Sequence, residues 1–220
     1  MQGYFRDRRA AGAELAVQLT GYRNAPGLLV LALPRGGVPV AYEIARALGA
    51  ELDVLVVRKL GVPQQPELAL GAVASGGAVV FNDDVVGAIG LTRAHLDAIV
   101  RAERAELARR EQAYRVDRKP LDVRGRTVIV VDDGLATGAS MRAAVTALRS
   151  LRPAKVVVAV PVAPVDAAEE FMHVADDFVC IETPRDFHSV GWWYRDFDQT
   201  QDDEVRSLLA ASAHVRPSAA

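Results

Sequence analysis

The sequence predicts an α/β fold built on a central, mostly parallel sheet flanked by helices. Three observations carry this. Short Val/Ile/Leu-rich runs recur along the chain, separated by longer helical patterns. The runs are continuous rather than alternating, which requires burial on both faces, as in a parallel sheet covered by helices. Half of the 220 residues are apolar and a quarter are charged, the balance of a globular chain long enough for one substantial core.

Taken in order, "GLLVLAL" (27–33) reads as a buried strand, and the Gly36-Gly37 turn leads into a helix over about 38–48. "DVLVV" (53–57) reads as a second strand. "LALGAVA" (68–74) and "AVVF" (78–81) flank Ser75-Gly76-Gly77, the pattern of a hairpin or bent strand pair. Thr92 caps a long polar helix to about Tyr114, an insertion over about 92–116, with Leu96, Ile99, Val100, Ala102 and Leu107 as a loosely apolar side. Its Glu103, Glu106, Arg109 and Arg110 are spaced for helical ion pairs. The helix reads as a solvated surface element, with a dimer contact or a lid support as the alternatives. "TVIVV" (127–131) leads into a helix over about 138–151, "KVVVAV" (155–160) into another over about 165–174, and "FVCI" (178–181) is the last strand. No repeat or low-complexity tract interrupts this order. The chain reads as one domain, 1–220, with its core over about 24–160 and a frayed tail, "VRPSAA".

A net charge of −2 gives no general reason to expect nucleic-acid or membrane binding. The single cysteine, Cys180, forms no intrachain disulfide and reads as a buried small hydrophobe. "MQGYFRDRRA" lacks the apolar run of a signal peptide, and the longest uncharged stretch, 68–82, is broken by glycines and too short to span a bilayer. The expected location is the cytoplasm. His95, His173 and His214 have no metal-ligand spacing with a cysteine, and His188 reads as structural or exposed.

Open α/β sheets bind ligands beyond the carboxyl ends of their strands, and three such ends are unusual here. In "LPRGGVPVA" (33–41), Arg35, Gly36 and Gly37 leave a strand and enter a helix; glycines permit close backbone approach and successive amides suit a phosphate, although Gly-Gly turns are also common punctuation. In "VVRKLGVPQQPE" (56–67), Arg58 and Lys59 precede a loop holding Gly61, Pro63 and Pro66. They suit a multiply charged phosphate, or are two solvated basic residues. In "VIVVDDGLATGAS" (128–140), buried aliphatics deliver Asp132 and Asp133 to the sheet edge, where carboxylates accept hydrogen bonds from sugar hydroxyls or hold Mg²⁺ through water. Residues 136–140 add backbone N–H groups, the Thr137 and Ser140 hydroxyls and a helix start, all suited to a phosphate monoester. Hydroxyls at one end and phosphate at the other describe a ribose 5-phosphate. The P-loop lysine is absent and no GxGxxG follows a strand, which speaks against nucleoside triphosphates and dinucleotides.

The stretch 128–140 closely resembles the phosphoribosyl pyrophosphate signature of type I phosphoribosyltransferases. "LPRGGVPVA" resembles that family's pyrophosphate-binding loop, in which a backbone peptide is often cis. "VVRKLG" is similar to the Arg-Lys stretch before its mobile active-site loop. The chain from about Gly27 to Val160 is covered in the expected order, and as a whole it looks most like the stand-alone, poorly characterised bacterial phosphoribosyltransferases of this size. The resemblance implies the type I fold with a small C-terminal hood over about 176–200. It also implies Mg²⁺-dependent displacement of pyrophosphate from ribose C1 by a nitrogen nucleophile, through an oxocarbenium-like transition state. Asp132 and Asp133 would hold the ribose 2- and 3-hydroxyls and, indirectly, the Mg²⁺. Gly134, Ala136, Thr137, Gly138, Ala139 and Ser140 would wrap the 5-phosphate. Arg35, Gly36 and Gly37 would engage pyrophosphate together with Arg58 and Lys59, and the loop over about 60–70 would close over the site. Asp132, Asp133, Arg58 and Lys59 are thus the candidate catalytic residues. The partners implied are phosphoribosyl pyrophosphate, a small nitrogenous acceptor and further copies of the chain, as a homodimer or larger.

The stretch "DDFVCIETPRDFHSVGWWYRDF" (176–197) is similar in spacing to the hood of 6-oxopurine enzymes. Phe187, Trp192 and Trp193 would stack on a base and Asp196 would meet its edge or a metal; otherwise the aromatics pack the hood onto the sheet. Ala136 stands where those enzymes carry an Asp serving purine N7. An extra residue also separates Phe187 from Val190-Gly191, and "VPVAPVD" (160–166) has no lysine for a 6-oxo group. Alanine at that place occurs in pyrimidine-using relatives, so the acceptor class stays open. An active transferase, a non-catalytic donor-binding regulatory module and adventitious hydrolysis, with water replacing the base, are the functions compatible with these residues.

Overall fold

The aliphatic runs assemble into two sheets. In the computed structural model, which describes residues 4–62, 65–115 and 118–213, the strands are β1 (Leu29–Ala32), β2 (Glu51–Val54), β3 (Val57–Val62), β4 (Gln65–Ala74), β5 (Val79–Phe81), β6 (Thr127–Val131), β7 (Lys155–Val162) and β8 (Asp177–Glu182). The helices are α1 (Arg8–Gln18), α2 (Gly37–Leu48), α3 (Asp83–Ile89), α4 (Arg93–Tyr114), α5 (Ala139–Ser150), α6 (Val165–Val174) and α7 (Asp202–Ala213). Pro63, His214 and the tail 215–220 lie outside the described residues.

The larger sheet is five-stranded and parallel, in the order β2-β1-β6-β7-β8. Alternate residues of its strands supply two separate cores. Val30, Ala32, Ile129, Val131 and Val157 pack beneath α1, α2 and α7; Leu29, Leu31, Val128, Val130 and Val158 pack beneath α5 and α6. Burial on both faces is why these strands read as unbroken aliphatic runs.

The smaller sheet, β3-β4-β5, is antiparallel, and its β4–β5 hairpin turns at Ser75–Gly77 as expected. Two expectations are corrected here. "DVLVV" is divided between β2 and β3: the Leu55 amide still bonds to Ala32 of β1, whereas Val56 exchanges hydrogen bonds with Ser75 of the smaller sheet. Within the segment 60–70 expected as a loop, the described residues 60–62 and 65–70 lie in β3 and β4, with Leu60 opposite Gly71, Gly61 opposite Ala69 and Val62 opposite Gln65 across irregular register. Main-chain pairing takes precedence because β3 and β4 bury Leu60, Leu70 and Val73 under the inserted helix.

That helix, α4, starts where Thr92 accepts the His95 amide. Leu107 is buried and Leu96, Ile99 and Val100 pack against the smaller sheet, while Ala102 is exposed. It is therefore a covering layer with one wet face, not a wholly solvated helix. Cys180 is half-buried on β8, rather than fully buried as expected; its thiol donates to the Glu182 carbonyl at 3.2 Å, and burial pushes its pKa up to about 12. Among the described residues no helix is long and apolar enough to cross a membrane.

Leu107→Ala is expected to cost about 3 kcal/mol by opening a cavity under α4, lowering Tm by roughly 6–12 °C. Thermal unfolding followed by circular dichroism checks this, and an unchanged Tm would show that α4 is not anchored through Leu107.

Candidate functional site

The winding of the parallel sheet locates the site. Counted by its own strands the order is 2-1-3-4-5, so the chain winds outward in one direction from β1 and in the other from β6. The carboxyl ends of β1 and β6 flank this reversal, where open α/β sheets leave a ligand crevice.

The two ends touch directly. The Leu33 amide donates to the Val131 carbonyl at 2.8 Å, the Pro34–Arg35 peptide is cis as the resemblance implied, and α2 begins at Gly37. A Cβ on Gly37 would lie 2.6 Å from the Val131 oxygen, and one on Gly36 would lie 2.1 Å from an Asp133 carboxylate oxygen. Only glycines permit this contact between the first strand end and the acidic turn.

The two carboxylates diverge. Asp132 lines a cavity of about 490 Å³, and its Oδ1 accepts the Asp133 amide at 2.9 Å. Asp133 Oδ2 accepts Arg8 Nε at 2.8 Å, with both side chains largely buried. Arg8 also donates to the Asp198 carbonyl at 2.7 Å and lies 3.8 Å over the Phe197 ring. Tyr194 Oη donates to the Asp133 carbonyl at 2.6 Å. Burial raises both carboxyls above their usual range. Repulsion from Asp133 raises Asp132 further, and the Arg8 guanidinium partly offsets the rise at Asp133.

From this turn the chain enters α5. The Leu135 amide bonds to the Val162 carbonyl, while Ala136 and Thr137 are exposed. Gly138 caps the helix with a left-handed backbone (φ +69°), and a Cβ there would lie 2.8 Å from the Phe171 ring. Ser140, in the first turn of α5, lines the same cavity as Asp132. The first amides of a helix have no partner within it, so this end is prepared for an anion.

Arg35 lines the cavity too, with the nearest acid, Asp202 of α7, at 3.5 Å. Val57 on β3 is a cavity wall, and Lys59, exposed, shares its strand face. Arg58 points the other way: its guanidinium pairs with Glu103 of α4 at 2.8 Å. In the hood, Phe187 packs against a cluster containing Phe5 and Tyr194, whereas Trp192 is 42% exposed beside His188, ring centroids 5.2 Å apart. Val190 lies against Gly134, which brings the hood to the acidic turn. Asp196 is exposed, and its Oδ1 accepts the Asp198 amide; it does not line the cavity.

Sequence reasoning missed Arg8, Tyr194, Tyr114 and Asp202, which reach the site from distant segments and carry no local signal. Arg109 and Arg110 were visible as ion-pairing residues on a helix face. The pairs form, both with Glu106, and both arginines also line the cavity.

A model of the phosphoribosyl transferase domain matches residues 6–196. A provisionally named phosphoribosyl transferase of Mycobacterium tuberculosis is 49% identical over 205 residues, covering 93% of this chain and 46% of that protein. The chain thus spans about half the length of this relative. Bifunctional protein PyrR of Chloroflexus aurantiacus is 32% identical over 155 residues, 68% of this chain and 76% of its own. The crystal structure of TT1426 from Thermus thermophilus is similar with a TM-score of 0.85 at 44% identity, covering 96% of this chain and 99% of that one.

Because the folded chain holds a proton on Asp132 more tightly than the unfolded chain does, stability should fall as pH rises from about 4, the unfolded carboxyl value. Asp132→Asn removes the titrating group and keeps an acceptor for the Asp133 amide. Its Tm advantage over the wild type should therefore grow between pH 4 and 8; an offset independent of pH would contradict the burial argument. Arg8→Ala leaves Asp133 buried without its partner and is expected to cost about 3 kcal/mol, read as a lower denaturant midpoint with unchanged slope.

Proposed function

Because the chain belongs to the phosphoribosyl transferase domain family, we propose that it moves ribose 5-phosphate from phosphoribosyl pyrophosphate to a nitrogen nucleophile of the nucleobase class. The bond from C1 to the pyrophosphate oxygen breaks, a C1–N bond forms, and the nitrogen gives up its proton. The observation that supports this best is that Asp132, at the end of β6, and Ser140, at the start of α5, line one cavity at the switch point of the sheet. A single short segment thereby offers an acceptor for sugar hydroxyls and a helix start for a phosphate.

In this reading the first amides of α5 receive the 5-phosphate, with the hydroxyls of Thr137 and Ser140, and Gly134, Ala136, Gly138 and Ala139 shape the loop around it. Asp132 accepts from a ribose hydroxyl. Asp133 keeps the turn in place through Arg8 and stands beside it as the second carboxylate. Arg35, the amides of Gly36 and Gly37, and Lys59 face the pyrophosphate, whereas Arg58 is committed to Glu103. Leu33, Leu55, Val56 and Val57 give the cavity an apolar wall that limits water, the competing nucleophile. Phe187 and Trp192 are the hood aromatics that would meet a planar acceptor.

The donor set fits Mg²⁺, which prefers oxygen ligands and is usually held by one or two carboxylates together with substrate phosphates. Among the described residues no group of three or more His, Cys, Asp or Glu is placed to hold a metal by itself. Asp132 would therefore hold the ion through water and the donor. When bound, Mg²⁺ neutralises charge on the departing pyrophosphate.

Ala136, exposed beside the acidic turn, offers no acid or base to an acceptor. This counts against a 6-oxopurine and favours, as a second reading, a donor-binding regulatory module. A panel of purine and pyrimidine bases with phosphoribosyl pyrophosphate and Mg²⁺ separates the two. Nucleotide and pyrophosphate formed with one class of base support the transferase; donor binding without turnover on any base supports the module. In either case Asp132→Asn should weaken donor binding about 10- to 100-fold by calorimetry, since a hydrogen bond to a charged acceptor is lost. Unchanged affinity would refute the ribose assignment.

A further inference from the structure

We propose that Arg109 and Arg110 of the inserted helix α4 are pyrophosphate-binding residues, which with Arg35 form a three-guanidinium cradle for the donor's leaving group. Both line the same cavity as Arg35, Asp132 and Ser140. Of the two cations that the family resemblance nominates for this task, Arg58 and Lys59, Arg58 is paired with Glu103 on the other face of β3 from the cavity wall Val57. Further positive charge for a multiply anionic leaving group, beyond Arg35 and Lys59, is therefore at hand on α4.

The two arginines are held ready. Glu106 accepts Arg109 through Nε and Nη2 at 2.8 and 2.9 Å and Arg110 through Nε at 2.9 Å. A guanidinium carries five N–H donors; among the described residues Glu106 takes two from Arg109 and one from Arg110, and no other acceptor takes the rest. Planar forks of this kind suit phosphate oxygens two at a time. The end of α4 is fixed over the cavity as well: Tyr114 Oη donates to Asp202 at 2.7 Å, and Asp202 lies 3.5 Å from Arg35. An internal carboxylate thus already uses the anion-binding side of the cavity, and an incoming pyrophosphate would compete with Asp202 for Arg35.

The proposal rests on the donor reading of the cavity, and its test keeps the two apart. Binding of inorganic pyrophosphate and of ribose 5-phosphate is measured by calorimetry, with Mg²⁺, on the wild type, on R109Q/R110Q and on R101Q, an exposed site on the same helix outside the cavity lining. The expected result is a loss of about tenfold or more in pyrophosphate affinity for the double variant, with ribose 5-phosphate affinity unchanged and R101Q like the wild type. Pyrophosphate affinity unchanged in the double variant, or both ligands weakened equally, overturns the role of α4, while the donor reading stands on the wild type's binding of both. A wild type that binds neither ligand overturns the donor reading and this inference with it.

Discussion

The site depends on how closely two strand ends meet. The carboxyl end of β1 lies against that of β6 with no side chain between them, because Gly36 and Gly37 stand where any Cβ would strike Val131 or Asp133. The contact falls at the one place in the parallel sheet where the winding reverses, so the crevice that every open sheet leaves there is walled by the acidic turn and the start of α2. Everything else in the site is arranged around that seam.

Placing two adjacent carboxylates at a buried seam has an electrostatic cost. Burial and mutual repulsion favour the protonated forms, and the fold offsets part of this by sending Asp133 to Arg8 rather than into the cavity. Arg8 belongs to the first helix, and it simultaneously grips Asp198 and covers Phe197 of the hood. One guanidinium thus joins the N-terminal helix, the acidic turn and the C-terminal hood. The residual unfavourable charge at Asp132 is what a ligand with hydroxyl donors, or a cation, would relieve. Strain of this electrostatic kind is commonly retained at functional sites at the expense of stability.

The inserted helix does more than cover the smaller sheet. Its apolar side buries Leu107 against β3 and β4, its middle engages Arg58 through Glu103, and its last turns carry Arg109, Arg110 and Tyr114 to the cavity. A helix anchored along its length can carry charge to a site more rigidly than a loop can. β3 and β4 pair over much of the segment where the family resemblance implies a closing loop.

The sequence by itself determined the parallel sheet, the order of its strands with α2, α5 and α6 between them, and the strand ends that line the cavity, whereas α1, α3 and α7 were not read from it. The features it determined follow from local rules: continuous aliphatic runs mark doubly buried strands, and Gly, Asp and Thr at their ends mark turns and helix starts. Thr92 capping α4 and the Ser75–Gly77 hairpin were legible for the same reason. The tertiary structure decided which of two neighbouring charges faces the cavity. Asp132 and Asp133 are adjacent in sequence yet turn to the cavity and to Arg8; Arg58 and Lys59 are adjacent yet lie on opposite faces of β3, with Arg58 held by Glu103. It also decided that Arg109, Arg110 and Asp202 reach the cavity, since a charge on a helix face has no intrinsic destination until the fold supplies its neighbours. Periodicity specifies what is buried, whereas the direction of a charged side chain is set by partners that only folding brings within hydrogen-bonding range.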